Sequence, residues 1–509
     1  MNEQCSIFDF VDDDYIYKIN KPIRLIEFFA GVGAQHKALT NIKANFESYK
    51  ICEWALPSII GYNAIHLGNF NGIWDNETDK NKIAQFLYDK GVSLNYNEPA
   101  PIQNIARIEI DRLKQCANSI INTHNLVNIC NVKGKDLDIV DKDKYCYIMT
   151  YSYPCQDLSS AGKQAGQVEG SGTRSSLLWE VGRILKECKE TDSLPQVLLM
   201  ENVPNCHGTK NIKEWHKWLE TLEQLGYKNF WKDLNSKDYE IPQTRNRCYM
   251  VSILKESDKP IVYNFPKKKK LKLLLKDLLE SDVDEKYYLS DKMIEYISFA
   301  GTKNFKNSDC KINLDIVRPL TTAQNKRAGT TNYISKDLPN NFDLRCLKIK
   351  ENTKKGYALA KDGDGVYINR PEQKRCTVQK GMIQTIKTSV DDIVVVVKEP
   401  TLLGGLGNKC NNDSQYHTQN RIYDDKMAVA LNTGFNPYYY SSLRIRKLTP
   451  LECFRLMAFS DEDYYKMKQY LSDSKLYHCM GDSIVVKVLE YIFKELIEPS
   501  KPEGNVTLW

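Results

Sequence analysis

Short apolar runs, separated by stretches with helical spacing, define the pattern of the first half of the chain. Apolar runs of this length that are bounded by turn residues are typical of buried strands. The strands are expected at residues 23–30, 49–54, 145–151, 197–200 and 247–254. Between residues 212 and 225 apolar side chains recur at helical spacing, and Gly226 is the expected end of that helix. Strands that alternate with helices predict an α/β fold, with a parallel sheet covered by helices on both faces.

The pattern changes after Pro266. Residues 266–445 are rich in Asn, Thr, Lys and Gly and are weakly periodic, which favours a second, smaller domain of mainly irregular and β structure. From Ser474 onward the α/β pattern returns. We therefore predict three parts, which are an N-terminal extension at 1–22, an α/β domain formed by 23–265 with 474–509, and a second region at 266–473 that includes a hinge.

The positive charge of the chain is concentrated around the second region. The net charge of the 509 residues is +6, but residues 261–450 carry +12, whereas 1–260 and 451–509 each carry −3. A basic surface confined to one domain suits a polyanionic partner such as nucleic acid.

Cysteine spacing and the N-terminal segment exclude several classes of protein. The 15 cysteines show no Cys-x-x-Cys spacing, so the sequence predicts neither a zinc ribbon nor a redox dithiol, and no metal is expected. Residues 1–20 lack the basic start and apolar core of a signal peptide, and no run of 18 apolar residues is present. We expect a cytoplasmic protein with reduced thiols and no membrane partner.

A candidate cofactor site lies at the ends of the first two predicted strands. The segment Phe29-Ala30-Gly31-Val32-Gly33 falls where a strand turns into a helix, and glycines there let the backbone approach a ligand closely. The second strand ends in Glu53 and Trp54. A carboxylate at that place can accept hydrogen bonds from ribose hydroxyls, and an indole can stack on adenine. The pattern predicts a nucleoside cofactor, either a nicotinamide dinucleotide or S-adenosylmethionine.

Candidate reactive residues follow the later strands. Cys155 comes after a proline at a strand end and opens a polar, glycine-rich segment that reaches Gly172, so its thiolate is a candidate nucleophile. Glu201 ends another strand and is a candidate acid. Arg245 and Arg247 are two residues apart and therefore share one face of a strand, where they can hold carbonyl oxygens or phosphates.

Taken in order, these motifs resemble those of the DNA (cytosine-5) methyltransferase family, in its prokaryotic or phage form. Single motifs are weak evidence, but seven in the same order are specific. The matches are Phe29-Ala30-Gly31-Val32-Gly33, Glu53-Trp54, Pro154-Cys155-Gln156, Glu201-Asn202-Val203, Gln243-x-Arg245-x-Arg247, Arg446-Lys447-Leu448-Thr449-Pro450-Leu451-Glu452-Cys453 and Gly481-Asp482-Ser483-Ile484-Val485. The chain departs from the family pattern at Ala34 and Ala458, where glycine is usual, and at Asp482, where asparagine is usual.

The resemblance implies a fold and a reaction. The fold would be a Rossmann-like, S-adenosylmethionine-dependent methyltransferase sheet with a smaller target-recognition domain. In the reaction, Cys155 would add to C6 of a cytosine that has left the duplex. Glu201 would hold the proton at N3, and Arg247 would bind the O2 carbonyl with support from Arg245. The segment from Gln156 to Gly172 would close over the base.

The resemblance also implies binding residues and partners. S-adenosylmethionine would be the cofactor and S-adenosylhomocysteine the product, and double-stranded DNA would be the substrate. A monomer suffices for this chemistry, and a separately encoded restriction endonuclease is an optional partner in a bacterial or phage-infected cell. Beyond the residues already named, the cofactor contacts would include Asp136, Pro154, Leu177, Asp482 and Ser483, and the DNA contacts would include Gln156, Ser159, Lys163, Gln243, Arg421 and Tyr423.

Two alternatives stay open at this point. An RNA cytosine-5 methyltransferase would use the same reactive residues, although the Cys-Phe-Thr signature of the tRNA-modifying relative is absent. A catalytically silent relative would bind DNA without turnover, and Asp482 keeps that alternative open. An amino-methylating enzyme would need an Asp/Asn-Pro-Pro-Tyr/Phe motif, which is absent, and a nicotinamide dehydrogenase would leave the Pro-Cys-Gln and Gln-x-Arg-x-Arg motifs unexplained.

Overall fold

The computed structural model divides into two compact units. It describes residues 16–154, 158, 166–255, 260–287, 347–353, 355–367, 377–385, 393–398, 401–405, 421–424 and 443–497. The first unit comprises the described parts of 1–241, 245–272 and 453–509, and the second unit comprises those of 242–244 and 273–452. The sequence placed the two boundaries at 265/266 and 473/474. The second boundary differs because the helix Asp461–Lys468 packs in the first unit, where Asp463 forms an ion pair of 2.8 Å with Lys37.

The elements are numbered in chain order. The strands up to residue 254 are β1 (Ile23–Phe28), β2 (Phe46–Cys52), β3 (Cys146–Tyr151), β4 (Val197–Asn202), β5 (Tyr227–Asn235), β6 (Gln243–Thr244) and β7 (Asn246–Leu254). The helices are α1 (Ala34–Asn41), α2 (Leu56–His66), α3 (Lys80–Lys90), α4 (Ile102–Ile105), α5 (Ile110–Asn122), α6 (Leu178–Glu190), α7 (Ile212–Leu225), α8 (Pro450–Leu456), α9 (Asp461–Lys468), α10 (Asp473–Asp482) and α11 (Val486–Leu496). Gly226 ends α7 in the left-handed conformation, as its position after the apolar repeat predicted.

The central sheet of the first unit is mixed, with strand order β2-β1-β3-β4-β7-β5. The first four strands are parallel, which confirms that part of the prediction. β7 runs antiparallel to both β4 and β5, so the expectation of a wholly parallel sheet is wrong. β5 and β7 are joined without a long helical crossover, and neighbouring strands connected in that way run antiparallel. The sequence missed β5 because only Tyr227 and Leu234 on this edge strand are buried.

The burial of β3 and β4 in the core of the first unit explains why both strands could be predicted from the sequence. Every residue of both strands is buried, and β3 and the first four residues of β4 are almost entirely apolar, so both stand out as apolar runs in the sequence. One cluster joins alternate β3 side chains to the helices α6 and α7, including Trp179, Trp215 and Trp218. Elsewhere α1 packs against α11, which brings the C-terminal α/β segment beside the first helix. The described start of the N-terminal extension pairs with the same unit, since Ile16 bridges Val262 and Ile19 bridges Ile497.

The described part of the second unit is mainly β, as its composition predicted. The strands are β8 (Leu347–Lys350), β9 (Tyr357–Ala360), β10 (Gly365–Tyr367), β11 (Val378–Gln379), β12 (Ile383–Gln384), β13 (Ile393–Lys398), β14 (Thr401–Gly405), β15 (Arg421–Asp424) and β16 (Leu443–Lys447). Four of them form a sheet in the order β11-β10-β13-β16. The pairs β8-β9 and β14-β15 are antiparallel, and β12 pairs with β6 in parallel. Within the described residues of the whole chain, no helix has the length and apolar character needed to cross a membrane.

Candidate active site

A cavity in the first unit lies at the carboxyl ends of β1, β2, β3 and β4. These strands are parallel, so their carboxyl ends meet at one edge of the sheet, which is where α/β folds bind ligands. The lining residues come from the segments after all four strands and from α10. They are Phe29, Gly31, Cys52, Glu53, Trp54, Ser58, Tyr96, Val127, Asn128, Ile129, Cys130, Ser152, Tyr153, Pro154, Arg174, Leu177, Glu201, Asn202, Val203, Arg245, Arg247, Gly481 and Asp482.

The turn after β1 depends on its two glycines. Gly31 and Gly33 have φ values of 55° and 76°, in the left-handed region that favours glycine. A Cβ on Gly31 would meet no atom within 4 Å, because this residue faces the cavity, whereas a Cβ on Gly33 would collide with the His66 ring. Of the five residues in this segment, Phe29 and Gly31 line the cavity. Ala30, Val32 and Gly33 are not among the lining residues, and Val32 instead holds His66 through its carbonyl oxygen at 2.9 Å.

Glu53 is fixed by backbone groups on both of its carboxyl oxygens. Gly31 N donates to Oε2 at 2.9 Å, and Ala55 N donates to Oε1 at 2.8 Å. Burial raises the pKa of Glu53 to about 7, although these hydrogen bonds favour the carboxylate. Each oxygen keeps a lone pair for a further donor, and Trp54 lies beside it in the lining. The arrangement can accept hydrogen bonds from a pair of vicinal hydroxyls such as those of ribose.

The reactive end of the cavity contains a buried ion pair. Arg247 Nε lies 3.1 Å from Glu201 Oε1, and the two side chains are only 14% and 10% exposed. Burial raises the pKa of Glu201, and the charges of Arg247 and Arg245 oppose that rise. Such a carboxyl group can hold a proton for a ligand, and the guanidinium beside it can donate to a carbonyl oxygen.

Arg245 connects this region to the turn at the end of α10. Its Nη2 donates to the carbonyl oxygens of Ser483 at 2.7 Å and Gly481 at 3.3 Å. The two motifs lie more than 200 residues apart in sequence and form one wall of the cavity. Asp482 lines this wall, whereas Ser483 is buried behind it and contributes its backbone. Asp482 Oδ2 also lies 3.1 Å from His478 Nδ1.

The segment before the candidate nucleophile is held in place from two sides. Asn202 Nδ2 donates to the carbonyl of Tyr153 at 3.0 Å, and Ser175 Oγ donates to the carbonyl of Pro154 at 2.6 Å. Pro154 and Leu177, which were expected to contact the cofactor, both line the cavity. Cys155 follows directly, but it lies outside the described residues, as do Gln156, Ser159 and Lys163.

Several expected residues are placed elsewhere. Asp136 is not in the lining, because its carboxylate accepts from Lys133 N at 2.8 Å and caps the short helix Gly134–Leu137. Gln243 is buried in the second unit on β6. Arg421 and Tyr423 lie on β15, and nothing is described of their side chains.

Sequence reasoning missed some of the lining. Tyr96 lies in a loop with no recognisable motif, and its ring stacks on that of His478 at a centroid distance of 3.6 Å. Arg174 precedes α6 in a Gly-Thr-Arg-Ser stretch, whose polar residues just ahead of an apolar helix were an available signal. Cys130 was not distinguishable from the other cysteines by sequence, although its side chain is exposed.

The comparison with known families identifies the class of this protein. The sequence profile of the C-5 cytosine-specific DNA methylase family matches residues 90–498. That match spans most of the chain, so the protein belongs to this family. It is an enzyme of the DNA (cytosine-5-)-methyltransferase class, and both family and fold support S-adenosylmethionine as its methyl donor.

Individual relatives agree with this assignment. The chain is 36% identical over 298 residues to the orphan methyltransferase M.SssI of Spiroplasma monobiae, a match that covers 58% of this chain and 72% of the relative. It is 29% identical to the type II methyltransferase M2.ScrFI of Lactococcus lactis, over 94% of this chain and 99% of the relative. It is also 29% identical to the orphan methyltransferase M.SPRI of Bacillus phage SPR, over 76% of this chain and 90% of the relative.

Proposed function

We propose that this enzyme methylates C5 of a cytosine that has been flipped out of duplex DNA, through a covalent bond between Cys155 and C6 of the base. The observation that carries the proposal is the Glu201–Arg247 pair, 3.1 Å apart, in the same cavity as Glu53 and Gly31. One end of the cavity therefore suits a nucleoside cofactor, and the other suits the polar edge of a pyrimidine.

The residues at the cofactor end fit S-adenosylmethionine. Gly31 leaves space for a ligand at the turn, Glu53 can accept from ribose hydroxyls, and Trp54 offers an aromatic surface. Leu177 and Asp482 complete this end of the lining. When it is bound, S-adenosylmethionine supplies an electrophilic methyl group, and S-adenosylhomocysteine is the product.

At the base end, the chain's own residues make C5 reactive. The Cys155 thiolate adds to C6, and the electrons displaced from the ring accumulate toward N3 and O2. Glu201 holds a proton at N3 and Arg247 donates to O2, so both groups stabilise the charge that develops. Arg245 supports Arg247 from the wall that it forms with Gly481 and Ser483. After C5 has accepted the methyl group it loses its proton, and the S–C6 bond breaks to release Cys155.

The second region, 266–473, would recognise the DNA sequence. Its basic block, with a net charge of +12 over 261–450, suits phosphate contacts, which supply affinity, while base contacts supply specificity. The residues proposed to contact DNA are Gln156, Ser159, Lys163, Gln243, Arg421 and Tyr423. We further propose that the enzyme acts as a monomer in the cytoplasm of a bacterial or phage-infected cell, with a separately encoded endonuclease as an optional partner.

Methyl transfer from labelled S-adenosylmethionine tests this function. Duplex DNA of mixed sequence and bulk tRNA are offered separately, and the methylated base is identified by mass spectrometry. We expect 5-methylcytosine in DNA and none in tRNA. Glu201→Gln should lower the rate by about 10²–10⁴-fold, whereas Glu190→Gln, a change at the exposed last residue of α6, should not. Label in tRNA alone would favour the RNA methyltransferase, and cofactor binding without transfer would favour the silent relative.

A further inference from the structure

A cluster of metal-ligating side chains lies outside the cavity, behind the strands that carry Glu201 and Arg247. His207 Nε2 is 3.0 Å from Asp233 Oδ1, and the ligand atoms of His207, Asp233 and Cys248 all lie within 4.8 Å of one another. Cys206 belongs to the same core cluster as Cys248. Both cysteines are completely buried, whereas His207 and Asp233 are partly exposed.

The topology of the sheet brings these four residues together. Asp233 on β5 is the direct cross-strand partner of Cys248 on β7, which is in turn the partner of Asn202 at the end of β4. Cys206 and His207 lie on the short 3-10 helix Pro204–His207 that follows β4. The side chains therefore converge from the ends of three adjacent strands, although they are scattered over more than 40 residues of sequence.

The donors have the chemistry of a zinc site. Thiolate, imidazole and carboxylate are the three ligand types that Zn²⁺ takes in proteins, and three such ligands with one water molecule complete a tetrahedral site. The bond lengths of such a site place the ligand atoms roughly 3.3–3.8 Å apart. The cluster is at most about 1 Å wider than that, which a change of side-chain rotamers at the exposed His207 and Asp233 can close. Partial exposure of these two residues also provides a path for an ion to enter.

We propose that His207, Asp233 and Cys248 bind one Zn²⁺ ion, with a water molecule in the fourth position. The proposal departs from the sequence-based expectation that the chain holds no metal, which rested on the absence of a Cys-x-x-Cys motif. The ion would lie outside the cavity, since none of its three protein ligands lines that cavity, and its role would be to hold the strands together.

The location gives the ion a role in positioning the reactive residues. Cys248 directly follows Arg247, and the 3-10 helix with Cys206 and His207 begins three residues after Glu201. The carbonyl of Cys206 also accepts from Gln167 Nε2 at 3.0 Å, and Gln167 is buried just after the segment that contains Cys155. A metal ion would thus fasten β4, β5 and β7 to one another at the end that carries the Glu201–Arg247 pair.

Cobalt titration of the metal-free full-length protein tests the site directly, and its readout does not depend on methyl transfer. Co²⁺ takes the place of Zn²⁺, and a bound thiolate gives a cobalt–sulfur charge-transfer band in the near ultraviolet. We expect one equivalent of Co²⁺ to produce this band and Zn²⁺ to abolish it by displacement. Cys248→Ser should remove the band, whereas Cys188→Ser, a change at another buried cysteine of the same core cluster, should retain it.

A second variant keeps the test decisive if Cys248→Ser does not fold. Asp233→Asn keeps the size of a partly exposed side chain and should weaken Co²⁺ binding by at least about tenfold. Zn²⁺ should raise the unfolding temperature of the wild-type protein and not that of Asp233→Asn. Failure of the wild-type protein to bind cobalt, a band that survives in a folded Cys248→Ser, or an unchanged Co²⁺ affinity in Asp233→Asn would overturn the proposal.

Discussion

Cofactor binding should depend on pH through Glu53. Burial raises the pKa of this carboxyl group to about 7, so below that pH the free protein holds it protonated. Ribose hydroxyls donate more strongly to a carboxylate than to a carboxylic acid, and the bound state therefore favours the ionised form. The affinity should rise as the pH increases through 7.

The size of this effect follows from the fraction of protein that is ionised. With a pKa of about 7, roughly one-eleventh of the free protein is ionised at pH 6 and roughly ten-elevenths at pH 8. If the bound group stays ionised throughout, the dissociation constant should fall about tenfold between pH 6 and pH 8, which corresponds to about 1.4 kcal/mol. S-adenosylhomocysteine is the ligand for this experiment because it carries the same ribose, and calorimetry gives its affinity.

Two variants separate Glu53 from other titrating groups. Glu53→Gln keeps the shape and one acceptor but cannot ionise, so its affinity should be lower at pH 8 and nearly flat from pH 6 to pH 8. Asp482→Asn removes a neighbouring negative charge that raises the pKa of Glu53, so the midpoint should move to lower pH. A wild-type affinity that is independent of pH, or a Glu53→Gln variant with an unchanged profile, would refute the reasoning.

Three further predictions concern the framework of the site. Gly31→Ala should lower the free energy of unfolding by about 1–2 kcal/mol, because alanine is strained at a positive φ, and it should also weaken cofactor binding. The Gly33→Ala protein should be less stable still, because the new Cβ would collide with the His66 ring. Thermal unfolding that ranks the two variants in the opposite order would contradict this. Burial raises the pKa of Glu27 to about 7, so between pH 4.5 and 7 the folded protein keeps the proton that the unfolded chain releases. The free energy of unfolding should therefore fall by up to about 3 kcal/mol as the pH rises through this range. Urea titrations of Glu27→Gln should show no such pH-dependent loss. Arg245→Met should lower the free energy of unfolding by about 2–3 kcal/mol, because two carbonyls lose their charged donor; an unchanged urea midpoint would count against that role.

The sequence predicted the parts of the fold that rest on local patterns. β1, β3 and β4 are mostly apolar strands, although β1 contains Arg24 and Glu27, and the glycines after β1 adopt the positive φ that their position required. Glu53 follows β2 and Glu201 lies at the end of β4, so the carboxyl-edge rule was enough to bring these two into one cavity. Arg247 lies at the start of β7 and reaches the same edge because β7 runs antiparallel to β4, which the sequence did not predict.

Features that depend on distant contacts were not predictable. The direction of β7 depends on its pairing with β5, an edge strand whose side chains are mostly exposed and which therefore lacks a clear pattern. The boundary after the second unit depends on the packing of α9 in the first unit. Arg245 was expected to support the site, but its contact with the Ser483 carbonyl joins two separate motifs and could not be predicted from either one. The cluster of His207, Asp233 and Cys248 likewise has no spacing that a search along the sequence would recognise.

Covalent trapping with 5-fluorocytosine tests the central claim most directly. Fluorine at C5 cannot leave as a proton, so an enzyme that bonds to C6 and transfers a methyl group stays attached to the DNA. With S-adenosylmethionine and a mixed-sequence duplex that contains 5-fluorocytosine, the wild-type protein and a Cys188→Ala control, whose residue does not line the cavity, should form a complex that survives denaturing electrophoresis. Cys155→Ala should form none, and peptide mapping should place the bond at Cys155. A complex that persists in Cys155→Ala, or a bond at another residue, would contradict the account.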